Sequence, residues 1–70
     1  MQMIPVTSSD IRSVGYDESA RLLRIEFNSG GVYAYFDVPS HLFSSFVEAA
    51  SKGQFFHSHI KFNYRYQKVS

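Results

Sequence analysis

The sequence predicts an α+β domain: a small, mostly antiparallel sheet in the order strand–strand–strand–helix–short helical turn–strand, with the main helix packed on one face. Three observations carry this. Residues 21–27 and 32–37 alternate apolar and polar side chains around the loop "NSGG", as half-buried paired strands do. Residues 38–53 instead repeat apolar side chains at spacings of three and four, the period of a helix with one buried face. The chain then returns to alternation in "FNYRYQKV".

Taken in order, residues 1–9 hold a proline and the polar run Thr7, Ser8, Ser9 and read as a lead-in. "DIRSVGYD" is the first strand, with Val14 and Tyr16 on one side, and "DESA" is turn-like. In "RLLRIEF", Leu23, Ile25 and Phe27 point one way and Arg24 and Glu26 the other. The next loop sets the faces, because a one-residue slip turns every side chain over. A two- or four-residue loop would place Val32, Ala34 and Phe36 with Leu23 and Ile25, leaving Tyr33 and Tyr35 outside. A three-residue loop, Asn28-Ser29-Gly30, pairs Ile25 with Tyr33 and Leu23 with Tyr35. It also puts a glycine where that loop needs a left-handed residue. The second register is preferred, which makes both tyrosines packing residues.

In "VPSHLFSSFVEAASKG", Pro39 suits the first helical position, where its missing N–H loses nothing. Leu42, Phe43, Phe46, Val47 and Ala50 form the apolar stripe, and Gly53 is the expected stop in a left-handed conformation. "QFFHSHIK" is either a short second helical turn or an aromatic loop, and "FNYRYQKV" is the fourth strand.

Seventy residues make one domain, 1–70, near the lower size limit for a single apolar core. The chain meets that limit with large side chains: seven Phe and five Tyr among 44% hydrophobic residues, a content that excludes disorder. Without cysteine, neither disulfides nor a thiolate zinc site can support the fold. With no apolar run of signal or membrane-span length, the expectation is a soluble, cytoplasmic protein with no membrane partner. The net charge of +1 hides a division. Residues 1–48 carry three arginines against six acids, whereas residues 49–70 carry Lys52, Lys61, Arg65 and Lys68 and no acid. Such a segment is either a terminal strand kept soluble by its charges or a site for an anionic partner.

Catalytic motifs are missing. Ser8, Ser9 and Asp10 read as a turn or cap, the acids are scattered singly, and "NSGG" lacks the lysine of a phosphate-binding loop. His57 and His59 would share a face of a strand, but zinc needs three or four ligands and no acid or thiol lies close in sequence. No enzyme activity, metal or cofactor is expected.

The ordered set "SSDIRSVGYD", "LLRIEF", "YAYFDVP", "AASKGQFF" and "IKFNYRY" resembles the KTSC family over about residues 7–66. That short domain is named from the C-terminus of some lysyl-tRNA synthetases and also occurs free-standing. The resemblance makes Tyr33, Tyr35, Val38, Pro39 and Gly53 family positions of structural kind. It implies RNA binding by association with the synthetase and assigns no reaction. Two functions follow. In one, the protein binds single-stranded RNA or tRNA, with Tyr64 and Tyr66 stacking bases and Lys61, Arg65 and Lys68, joined by Arg24 and Arg12, meeting phosphates. In the other, it docks a protein through an aromatic patch around Phe55 and Phe56 or an open sheet edge.

Overall fold

A computed structural model describes residues 2–70. Five antiparallel strands lie in the order of the chain: β1 (Ile4–Pro5), β2 (Ile11–Asp17), β3 (Leu22–Phe27), β4 (Val32–Tyr35) and β5 (Tyr66–Lys68). Between β4 and β5 come α1 (Ser40–Glu48) and α2 (Lys52–Phe55), the latter running on into a π-helical turn, Phe56–Ile60. The fold is thus the expected α+β domain, with one strand more than the sequence announces. β1 falls in what reads as a lead-in. Two residues carry no period, and a proline is tolerated there only because β1 is an edge strand.

The β3–β4 register is Leu23 with Tyr35 and Ile25 with Tyr33, the one that the three-residue loop requires. Phe27 N–H donates to the Gly31 carbonyl at 2.9 Å, and Gly30 has φ of +111°. On the face carrying Val14, Leu23, Ile25 and Tyr35 the helical layer is laid, and Phe46, Phe56 and Ile60 complete the core with Val38 and Ile11. Ile11 reaches this face through a bulge: β2 spends Ile11 to Ser13 where β3 spends only Phe27 to Glu26. In regular alternation Arg12 would face the core and Ile11 the opposite side, and the bulge at Arg12 returns Ile11 to the core face.

The helical segment differs from one stripe ending at Gly53. Pro39 stands one residue before α1 in extended conformation, with ψ of 150°. The chain leaves the helix at Ala49, also extended, and Ser51 starts α2 by accepting a hydrogen bond from Gln54 N–H on its hydroxyl at 3.2 Å. A straight helix would have swung later side chains off the sheet. The break redirects the chain so that Phe56 and Ile60 also enter the core. Gly53 is therefore buried inside a helix and is not a left-handed stop. The last strand is shorter than its alternation: residues 61–65 form a turn, with Asn63 Nδ2 donating to the His59 carbonyl at 3.0 Å. Among the described residues, no helix is long and apolar enough to cross a membrane.

Candidate functional site

The aromatic residues between the sheet and the π-helical turn form a closed circuit. Tyr66 packs on Tyr35 at 5.5 Å between ring centres, Tyr35 on Phe56 at 5.5 Å, and Phe56 on Phe27 at 5.3 Å. Phe27 then meets Tyr33 at 5.6 Å, and Tyr33 returns to Tyr66 at 5.9 Å. Most neighbours meet edge-on or tilted, the arrangement that aromatic quadrupoles favour. The five rings line a groove of about 730 Å³, whose wall is continued by Phe62, Lys61, His57, Asn28 and Asp10.

Local structure places each ring. Tyr33 and Tyr35 alternate on β4 and so share the helix-covered face, in register with Ile25 and Leu23. Both line the groove, yet they differ in depth: Tyr35 is buried at 4% exposure, whereas Tyr33 is half-buried. Burial pushes the Tyr35 hydroxyl up from its ordinary 10.0 to about 12. Tyr66, opposite Tyr35 on β5, is 58% exposed and forms the solvent-side member of the circuit. Phe56 is fixed from below by the π-helical turn, whose closing bond runs from Lys61 N–H to the Phe56 carbonyl at 2.9 Å. That same bond sets Lys61 and Phe62 at the rim, with the Lys61 ammonium 5.3 Å from the centre of the Phe62 ring.

The residues expected to bind nucleic acid are divided by the sheet. Tyr66 and Lys61 line the groove, and Lys68 shares its strand face, in register with Tyr33. Arg24 and Arg65 lie elsewhere. Arg24 sits on the opposite face between the small residues Gly15 and Ala34, with its Nε buried and without a partner among the described residues. Arg65 stands over the Phe36 ring at 5.6 Å and 3.6 Å from Asp37, and Arg12 lies 4.0 Å from Glu26. Tyr64 is half-buried against the core. Of the structural positions, Val38 is fully buried and its carbonyl accepts from the Tyr16 hydroxyl, while the Tyr16 ring stacks on Phe43 at 4.9 Å.

Two expectations change. The patch around Phe55 and Phe56 is not open: Phe56 is 5% exposed, and Phe55 stacks on Phe46 at 5.6 Å. The exposed phenylalanine is Phe62, at 83%. His57 and His59 do not share a strand face either, because they lie on the π-helical turn against the rings of Phe56 and Phe55. Among the described residues, no three acids, histidines or cysteines gather as metal ligands. Phe27, Phe62, His57 and Asp10 are groove residues that sequence reasoning missed. Phe27 reads as simple continuation of a core period, Asp10 and Phe62 as ends of alternating strands, and His57 stands in a segment without periodicity.

A short antiparallel sheet covered on one side by a broken helix, with an aromatic groove at the seam, defines a small α+β domain. The KTSC domain model matches residues 7–69, and the chain belongs to that family. A KTSC domain protein of Yersinia pestis, known from its crystal structure, is similar at 42% identity and a TM-score of 0.96, over 99% of this chain and 97% of that one. An uncharacterised protein of Stutzerimonas stutzeri is 37% identical over 99% of both chains. A lysine–tRNA ligase of Trichormus variabilis is 40% identical across 89% of this chain, which spans only 11% of the ligase.

Proposed function

We propose that the protein is a single-stranded RNA or tRNA binding module without catalytic activity, and that the aromatic groove is its site. The observation that carries this reading is the circuit of five rings, open at Tyr66 and flanked by Lys61 and by Lys68 on the same strand face. A base stacked on an exposed aromatic gains about 1–3 kcal/mol whatever its identity, and lysines beside it neutralise the phosphates. The similarity to a lysine–tRNA ligase, an enzyme that handles tRNA by name, supports the same class of partner.

Fluorescence anisotropy with a labelled hexauridine at two salt concentrations tests the proposal. Tyr66→Ala should weaken binding by about 1–3 kcal/mol and Tyr66→Phe should retain it, because stacking needs the ring and not the hydroxyl. Absence of wild-type binding at low salt, where screening is weakest, would overturn the proposal. A second reading then comes forward, a protein-docking module, favoured by Phe62 at 83% exposure. The outer side of β5, the last strand of the sheet, adds an open edge to that surface.

A further inference from the structure

We infer that the groove selects guanine, with the Asp10 carboxylate reading the base while the rings hold its face. This rests on the RNA reading and adds which base is taken. Asp10 lines the groove together with Tyr33, Tyr35, Phe56 and Lys61. Its main chain is fixed: the N–H donates to Ser8 Oγ at 3.3 Å, and the carbonyl accepts from Asn28 N–H at 2.8 Å. Its carboxylate, by contrast, makes no hydrogen bond or ion pair with any described residue. The carboxylate rests against Gly53, where a Cβ would stand 2.9 Å from Oδ2. A glycine at this point of the helix leaves the carboxylate room beside the backbone. The fold thus holds an exposed acceptor, without a hydrogen-bond or ion-pair partner among the described residues, at the wall of an aromatic groove.

The chemistry of that acceptor discriminates among bases. An ionised carboxylate can only accept. Guanine alone presents two adjacent donors on its pairing edge, the ring N1–H and the exocyclic N2–H, one for each carboxylate oxygen. Adenine and cytosine present one amino donor beside a bare ring nitrogen, and uracil presents one N–H between two carbonyls. Each of these sets an acceptor against an acceptor. Lys61, on the same groove, supplies the cation that the nucleotide phosphate requires. An organic cation would suit the rings and Asp10 but would meet the Lys61 ammonium. The groove volume of about 730 Å³ falls within the roughly 300–1,000 Å³ of small-molecule sites. Stacking of an unpaired base with hydrogen bonds to its edge is the usual mode of sequence-specific RNA recognition.

The test measures anisotropy of the full chain with labelled uridine hexamers carrying a single central guanine, adenine or cytosine, beside hexauridine. Wild type should bind the guanine hexamer about tenfold more tightly than the other three, the discrimination a bidentate contact provides. With Asp10→Asn, which offers one acceptor and one donor, that ratio should fall to within about twofold on the same variant. Equal wild-type affinities for the four hexamers, or a preference that survives Asp10→Asn, would overturn guanine selection and leave the RNA reading standing. No binding of any hexamer at low salt defeats both. Should Asp10→Asn fail to fold, amide shifts of the wild-type protein decide: guanosine monophosphate should move the Asp10 and Gly53 signals and uridine monophosphate should not. The reverse pattern, or equal shifts, rejects the inference.

Discussion

At Gly30 the backbone takes φ of +111°, and a Cβ built there meets nothing within 4 Å. The cost of Gly30→Ala is therefore conformational alone, about 1 kcal/mol or more. Gly31 is no silent control, because its Cβ would stand 2.9 Å from Cε1 of Tyr33 and push a groove ring aside. Denaturant melts should show the Gly30 variant less stable with its groove unchanged. Gly31→Ala should instead displace the Tyr33 ring signals in NMR spectra. A second residue-scale expectation concerns pH. The Tyr35 hydroxyl is raised to about 12 by burial first and by the neighbouring Tyr66 and Tyr33 next, and burial raises Tyr16 in the same direction. The folded state holds a proton that the unfolded chain releases near 10.0, so this stability is complete below that pH and is lost as pH rises through about 12. Melting temperature should stay level to about pH 10 and fall beyond it, and Tyr35→Phe should blunt the fall. An equally steep fall in that variant would show that another group controls alkaline unfolding.

Among the elements, α1 is held by one side chain above all. Phe46 is fully buried, while Leu42, Phe43 and Val47 are only partly so. Phe46→Ala should cost about 3–5 kcal/mol, comparable with the whole stability of a domain this small. Calorimetry would check it, and a cooperative transition near the wild-type temperature would show α1 to be peripheral. Legibility in the sequence follows the length of each periodic pattern. β3 and β4, the register between them and the stripe of α1 were readable because elements of six, four and nine residues repeat their period, and "NSGG" fixes the loop. β1 was not, since two residues have no period. The helix break at Ala49 was hidden because Ala50 and Gly53 continue the spacing of three, and only Ser51, a good helix N-cap, marks the restart. Ile11 stands out of phase with Val14 and Tyr16, which is the trace of the bulge. The groove was half visible. Tyr33, Tyr35 and Tyr66 stand in alternating strands, whereas Asp10 and Phe62 are brought to it by tertiary packing alone.

Over the whole molecule, the acid-free C-terminal segment was legible as a charge imbalance, but chain position does not say how charges divide between two faces. Successive residues of a strand point to opposite sides, so Tyr66 and Lys68 go with the groove and Gln67 with the open face. Arg65, in the turn before β5, stands over the Phe36 ring away from the groove. Two arginines away from the groove meet acids, Arg12 beside Glu26 at 4.0 Å and Arg65 beside Asp37 at 3.6 Å, whereas Arg24 has no ion pair with a described residue. On the groove side, Lys61 and Lys68 have no ion pair with a described residue. The groove-side cations free to release counterions to a bound strand are therefore these two lysines. Each phosphate contact on a single strand contributes about 0.7 to the slope of log affinity against log salt. Lys61→Glu and Lys68→Glu should each lower that slope by about 0.7 or more and weaken binding of all sequences alike. Arg65→Glu, placed away from the groove, should change the slope far less, although it reverses the same unit of charge. Anisotropy titrations of the three variants across several salt concentrations make the comparison, with melting temperatures as the check on folding. If Arg65→Glu flattens the slope as much as the lysine variants, the strand runs over the open face beside Arg24, and the aromatic groove is not the RNA site.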